Sequence, residues 1–340
     1  MSSSLQPLTI PADAKSQLTV LFLAKNALWD GETDPEDGNH AVYHREMRQM
    51  LERIGVNVMA AQTHDMLFDP PEGIDFVFPL LNRAGFFNSE MLVPLLCERA
   101  GLPYLGASPI LRGLSDDKHL AKLAAVNAGI PTAPWAVYRK HAPITPERLP
   151  EAERYVIKPN NSSASWGVQD AYDWEGVAAA VERIHTDPSN GGQDAIVEPF
   201  IIGNDVGVPV ITMHGEPQPL KMLVSRQKDP LHLRSYAEKR DLVDPDDQSY
   251  TLEEFDNPEL EARILELTHT CSQEYRPFDY GRYEFRVNED TGAISFVELN
   301  LNCNLWSQKS FGRAAAIEGW TQEQLIETLL AEAMTRYGIL

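Results

Sequence analysis

One stretch constrains this chain more than any other: Tyr280 to Trp306, YGRYEFRVNEDTGAISFVELNLNCNLW. Apolar and polar residues alternate through Tyr283–Val287 and again through Ala293–Leu299, and Asn-Glu-Asp-Thr-Gly between them is turn chemistry. Alternation at period two predicts two half-buried strands, which the turn closes into a hairpin. Side chains two apart share a face, so Arg282 groups with Glu284, and Glu298 with Asn300. Two carboxylates and an amide oxygen beside an arginine make a hard, all-oxygen donor set suited to Mg2+. A hairpin with a solvated charged face is the other reading that this pattern leaves open.

The rest of the chain supplies a frame. Leu18–Ala24, LTVLFLA, is a continuous apolar run of the kind a buried parallel strand shows. A polar loop over Asn26–Asn39 leads to a helix over Ala41–Ile54, stopped by Gly55. Strands follow at Val56–Ala60 and Asp75–Pro79, then a helix over Met91–Ala100. That order predicts an open parallel α/β domain. Further on, a helix is expected over Asp116–Ala128 with Ser115 as its cap, and another over Trp174–His185. Strands are expected at Pro134–Tyr138, Tyr155–Lys158, Ala195–Phe200, Gly207–Met213 and Pro219–Val224. Ser225–Asn257 reads as a long polar segment, followed by a helix over Glu259–Glu274. Thr321 and Gln324 form a capping box at the start of a last helix, whose apolar face is Leu325, Leu329, Leu330 and Met334. MSSSLQPLTIPADAKSQ at the start reads as a loose leader, without the features of a signal peptide.

Composition removes several function classes. The 340 residues carry a formal charge of -21, which opposes binding to a phosphate backbone. No apolar run approaches the roughly 20 residues that span a bilayer. Cys97, Cys271 and Cys303 have no metal or redox spacing, so reduced, buried thiols in a cytoplasmic protein are expected.

Three further stretches can carry chemistry. Lys158 ends a strand and opens the loop KPNNSSASWGV, whose ammonium and backbone N–H groups could surround phosphates. EPFIIGNDVGV, Glu198 to Val208, ends a strand with a carboxylate and places Asp205 seven residues on. A backbone hinge at Phe200 and Ile201 could bond an adenine edge, and Asp205 could accept from ribose hydroxyls. His40 and His44 are four apart, a spacing compatible with zinc but without an HExxH pattern, so they read as surface or pocket histidines. Trp166, inside the phosphate loop, is either a lid or a hydrophobic plug.

The order of these parts is informative. LPYLGASPILRGLSDDKHLAKLAAVNAGIPTAPW, then the lysine-ended strand, then IVEPF and IGND, then GRYEF and VELNLN, resembles the ATP-grasp superfamily in its D-alanine–D-alanine ligase-like branch. The likeness runs from about Leu18 to the C-terminus. It implies an α/β (α+β) ATP-grasp fold with an N-terminal open parallel α/β domain at 18–108, a central subdomain at 109–205 and a C-terminal subdomain with the metal hairpin at 206–340, after a flexible leader at 1–17. It also implies an ADP-forming ligase that activates a carboxylate as an acyl phosphate and joins it to an amine. Lys118, Lys158, Ser165 and Lys239 then face ATP phosphates, Glu198, Phe200 and Ile201 the adenine, and Asp205 the ribose. Glu284, Glu298 and Asn300 hold Mg2+, with Mn2+ an alternative. Arg282 stabilises the tetrahedral intermediate, assisted by backbone N–H near Asn304, while Lys309 and Ser310 fall near the serine that holds the acceptor carboxylate. A cytoplasmic homodimer acting on amino-acid-like substrates completes what the likeness implies.

Departures from the family bear on substrate. Glu284 stands where Asp is usual, Ser162–Ser165 replaces Glu-Gly-Ser-Ser, and LNRAGFFNSE, with Asn82 and Glu90, replaces an HGxxGEDG-like stretch. An amino-acid or dipeptide ligase making another amide is therefore expected. D-alanine–D-alanine ligase itself, a kinase stopping at the acyl phosphate, and a silent ATP-binding regulatory protein are the alternatives.

Overall fold

A computed structural model describes residues 5–34, 37–81, 89–188, 192–239 and 247–340 of the chain. A short helix α1 (Ala12–Lys15) precedes β1 (Thr19–Leu23), α2 (Asn39–Ile54), β2 (Asn57–Ala61), β3 (Phe76–Pro79) and α3 (Leu92–Ala100). The three strands form a parallel sheet in the order β2-β1-β3. Val20 and Phe22 of β1 enter one core while Leu21 and Leu23 enter another, which is why the run shows no alternation. Gly55 ends α2 in the left-handed region at φ 100°, a conformation that costs glycine little.

Two helices, α4 (Pro109–Asp116) and α5 (Lys118–Asn127), stand where one was expected. Ser115 is not the cap: its hydroxyl donates to Arg112 O inside α4. The cap is Asp117, whose carboxylate accepts from Leu120 N at 2.9 Å. The smaller antiparallel sheet follows, built from β4 (Ala136–Tyr138), β5 (Tyr155–Pro159), β6 (Gln169–Ala171) and β7 (Ala195–Pro199) in the order β4-β7-β5-β6. Helix α6 (Trp174–Thr186) covers it with Val177, Ala180, Val181 and Ile184. The three-residue β6 was not expected from the sequence.

The larger sheet takes β8 (Asn204–Met213), β9 (Glu216–Pro219), β10 (Leu223–Gln227) and β11 (Tyr250–Glu254). A short α7 (Tyr236–Lys239) lies between β10 and β11, and α8 (Pro258–Glu274) precedes the hairpin strands β12 (Tyr280–Asn288) and β13 (Ala293–Asn300). The order is β11-β10-β8-β12-β13, with β9 folded back on β8. The strand expected at Pro219–Val224 is in fact two, since the chain leaves the sheet after Pro219 and re-enters at Leu223. The segment expected to be only polar contains α7 and β11.

Helices α9 (Ser310–Ile317) and α10 (Gln322–Arg336) close the chain, and α9 was not foreseen. The capping box at Thr321 and Gln324 is present. Helix α10 is buried on all sides from Leu325 to Met334, not along one stripe. One covering is the N-terminal segment, expected to be loose but packed from Leu5 onward. Leu8 N donates to Thr328 Oγ1 and Ile10 N to Glu327 Oε1, both at 2.9 Å, and Ile10 is buried. Apolar Leu5, Leu8 and Ile10 find a core there, which a polarity reading of the leader overlooked. No helix among the described residues is long and apolar enough to cross a membrane.

Candidate active site

The hairpin holds its polar groups on one face. Residues of β12 alternate between buried and half-buried, with Arg282, Glu284 and Arg286 on the open face. Strand β13 cannot alternate throughout, because Phe296 and Leu299 both enter the core although they are three apart. A β-bulge resolves this: Phe296 opposes Phe285, yet Glu298 opposes Glu284, leaving Val297 as the extra residue. Glu298 therefore lies on the site face directly across from Glu284, and Asn300 across from Arg282. Like charges placed opposite each other on paired strands are destabilising. Arg282 relieves one of them, its Nε donating to Glu284 Oε1 at 2.9 Å.

Lysines from the other elements reach the second glutamate. Lys118, at the start of α5, donates from Nζ to Ser162 O at 2.5 Å and lies 3.6 Å from Glu298 Oε2. Burial pushes the Glu298 carboxyl up, but Lys118, Lys239, Lys158 and Arg282 around it prevail and hold it below the usual carboxylate range. Lys158, near the end of β5, lies 3.2 Å from Glu198 Oε1. Burial likewise raises Glu198, and Lys158 and Lys122 more than reverse this. Lys122 was not singled out from the sequence; its place four residues after Lys118, on the same helix face, was the available signal.

Asp205 is clamped more tightly than expected. Arg234 Nη2 donates to its Oδ2 at 2.6 Å and Arg286 Nη1 to its Oδ1 at 2.7 Å. Although burial opposes ionisation, these arginines hold the carboxyl well below its ordinary value. A carboxylate has about four lone-pair sites, so both oxygens retain capacity for ribose hydroxyls. Neither arginine was anticipated. Arg286 also donates from Nε to Ile201 O, and the guanidinium of Arg154 stacks 4.0 Å from the Phe200 ring centroid. The hinge is thus fixed by cations from two sheets. Lys239, at the end of α7, faces the same region, and residues 240–246 lie outside the described residues.

Two joined cavities contain these groups. The smaller, of about 140 Å3, is lined by Lys158, Ser165, Glu198, Phe200, Ile201 and Val297. The larger, of about 450 Å3, is lined by Arg282, Asn300, Asn304, Lys309, Ser310 and His40. Lys118, Asp205, Lys239, Glu284 and Glu298 line both. All the residues singled out for ATP, metal and substrate therefore line one or other of two cavities that share walls. Ser162–Ser165 forms its rim, with Ala164 and Ser165 both in the left-handed region, at φ 52° and 58°. Non-glycine residues rarely adopt that conformation, and strained backbone of this kind clusters at ligand sites. Trp166 is half-buried in this loop and lines neither cavity.

The histidines belong to the larger cavity. His44 is buried and its Nδ1 accepts from Asn26 N at 3.3 Å, with His40 against it at a ring separation of 6.0 Å. Among the described residues no three His, Cys, Asp or Glu side chains gather to hold a metal ion. Glu90 also lines this cavity, bound to Arg112 at 2.9 Å, while Asn82 lies outside the described residues. Cys303 is buried beside it, its thiol pushed up to about 12 by burial.

Two β-sheets gripping a cleft lined by lysines and paired glutamates define an ATP-grasp carboxylate–amine ligase. The family described as "D-ala D-ala ligase C-terminus" matches residues 125–331, well over half of the chain. The chain belongs to that family, whose enzymes use ATP and a divalent metal and form ADP. It is similar to a Sinorhizobium fredii protein named "Uncharacterized protein y4sG", 27% identical over 84% of this chain and 80% of that one. A D-alanine–D-alanine ligase of Tropheryma whipplei is 26% identical over 76% of this chain and 72% of its own. The crystal structure of the Bacillus anthracis D-alanine–D-alanine ligase complexed with ATP covers 95% of this chain and 99% of its own, with a TM-score of 0.72 at 17% identity. That last likeness is one of fold.

Proposed function

We propose that this enzyme joins the carboxylate of one amino acid or dipeptide to the amine of another through an acyl phosphate. The observation that carries the reading is the position of Lys118. Its ammonium touches both the phosphate-loop carbonyl of Ser162 and the Glu298 carboxylate, so the expected triphosphate and metal sites meet at one atom.

The donor set fits Mg2+. Glu284 and Glu298 face each other and Asn300 adds an amide oxygen, a donor set that would hold Mg2+, an ion bound through few protein carboxylates. Held by those residues, the ion would neutralise negative charge that develops on the phosphates. The protein's own groups do the rest. Lys118, Lys158 and Lys239 hold the phosphates, and Ser165 contributes from the loop. Glu198, Phe200 and Ile201 hold the adenine, and Asp205 the ribose. The substrate carboxylate oxygen attacks the γ-phosphorus, the bond to the β,γ-bridging oxygen breaks, and ADP leaves. The amine nitrogen then attacks the acyl carbon, loses a proton, and phosphate departs. Arg282 and backbone N–H near Asn304 face the oxyanion, a contribution worth about 3–4 kcal/mol of barrier for such donors. The loop at Ser162 and helix α7 with Lys239 keep water from the acyl phosphate.

The larger cavity favours substrates bulkier than alanine. Its wall carries a cluster of rings, with Tyr43 5.3 Å from His44 and 6.2 Å from Trp306 between centroids, while Lys309 and Ser310 stand ready for the acceptor carboxylate. D-alanine–D-alanine ligase activity is the alternative, supported by the names of the relatives. A cytoplasmic homodimer belongs to the same proposal, on the strength of the family likeness. Hydroxylamine trapping tests the chemistry: with the correct carboxylate and ATP, a hydroxamate and ADP should accumulate without amine. ATP binding without hydroxamate across D- and L-amino acids would contradict it.

A further inference from the structure

We propose that Lys122 is a positioning residue that ties the nucleotide hinge on β7 to the metal-binding strand β13, so that binding of ATP and of its metal ion is coupled. This rests on the ATP and Mg2+ sites proposed above. Lys122 and Lys118 lie four apart on one face of α5, and each reaches a glutamate of a different sheet. Lys118 lies 3.6 Å from Glu298 on β13, and Lys122 lies 3.4 Å from Glu198 on β7. Lys122 does more than pair. Its Nζ donates to Thr132 Oγ1 at 2.6 Å, and Thr132 Oγ1 donates to Phe296 O at 2.7 Å. Phe296 N in turn donates to Pro131 O at 2.8 Å. Phe296 sits just before the bulge, two residues from Glu298, so the link ends where the metal carboxylate is aimed.

Burial gives the reason to see a role beyond packing. Lys122 is 0% exposed, with its ammonium 5.2 Å from the Trp135 ring centroid. A charge taken so far from water costs free energy that an apolar chain of the same length would not. Lys158, 3.2 Å from the Glu198 carboxylate, shares its compensation with Lys122. Of these two ammonium groups, Lys122 is the one whose hydrogen bonds run on through Thr132 to β13.

The test is calorimetric titration with ATP, with and without Mg2+ and with no amino-acid substrate, beside thermal unfolding. Lys122→Met should weaken ATP binding by about ten-fold or more, as outer groups that orient ligands do, while Tm holds or rises. Thr132→Val, which removes only the connecting hydroxyl, should leave metal-free ATP binding near wild type and cut the enhancement by Mg2+ about five-fold or more. Unchanged ATP affinity in a folded Lys122→Met protein would overturn the proposal. So would an intact Mg2+ enhancement in Thr132→Val, which decides alone if the Met variant does not fold. A wild type that binds no ATP would sink the function itself, a different result from a wild type and variants that bind equally.

Discussion

Glu284 and Glu298 oppose each other across two strands, a pairing that costs stability unless something positive stands between them. Arg282 and Lys118 partly fill that need from either side. Glu298→Gln should therefore reduce turnover by about 100-fold or more, with Tm unchanged or slightly raised. Near-normal ADP release from the variant would remove Glu298 from the metal site. Lys309→Ala should raise the KM of the acceptor far more than that of ATP; equal effects in initial-rate kinetics would return Lys309 to the surface. Lysines and carboxylates of the site were legible because their order along the chain is distinctive. Arg234 and Arg286 on Asp205, and Lys122 on Glu198, were not. Their partners lie 29, 81 and more than 70 residues away, and nothing local marks such pairs.

At the scale of elements, the bulge in β13 lets two adjacent residues, Val297 and Glu298, both line the site, one apolar and one acidic. Deleting Val297 restores regular pairing, with Phe296 and Leu299 still inward, so the hairpin should survive. The KM for ATP should nevertheless rise several-fold, as expected when an apolar contact to a ligand is lost; an unchanged KM would show that the bulge serves the strand and not the nucleotide. Alternation predicted the hairpin but not this irregularity, because three residues between inward positions read equally as noise. Capping chemistry was legible at Thr321, where Thr321→Ala should cost about 1 kcal/mol in urea unfolding. It misled at Ser115, because Asp117 two residues later offers the better acceptor. Strand β6 and helix α9 escaped because three and eight residues carry too little periodicity.

The whole molecule carries a formal charge of -21 yet gathers Lys118, Lys122, Lys158, Lys239, Arg234, Arg282 and Arg286 around one cleft. Asp205 and Glu198 there are held below their ordinary values of 3.8 and 4.5, and Glu238 of α7, outside the cavity walls, is lowered to about 2. For Glu238, burial is outweighed by bonds from Ser235 and His232. Because folding depresses these values, the unfolded chain binds more protons below its own carboxyl pKa. Their stabilisation is complete above about pH 4.5 and is lost as pH falls toward the folded values. Urea midpoints should decline gently below pH 6.5, as burial depresses His64 and His119, and drop steeply below 4.5; no drop between pH 4.5 and 3 would show that the clamp on Asp205 contributes nothing. The parallel sheet and the hairpin of β12 and β13 were legible from the sequence, but the order of strands in the other sheets was not. The N-terminal strap was not, since its apolar residues find their core more than 300 residues away on α10.

The central claim is that this cleft converts a carboxylate into an amide at the expense of ATP. It is tested most directly by incubating the enzyme with ATP, Mg2+ and pairs of D- or L-amino acids, and comparing ADP with amide formed by mass spectrometry. The account predicts one pair, with at least one member larger than alanine, that gives ADP and amide in equal amounts. ATP bound in the cleft but no amide from any pair, under conditions where the protein is folded, would contradict it.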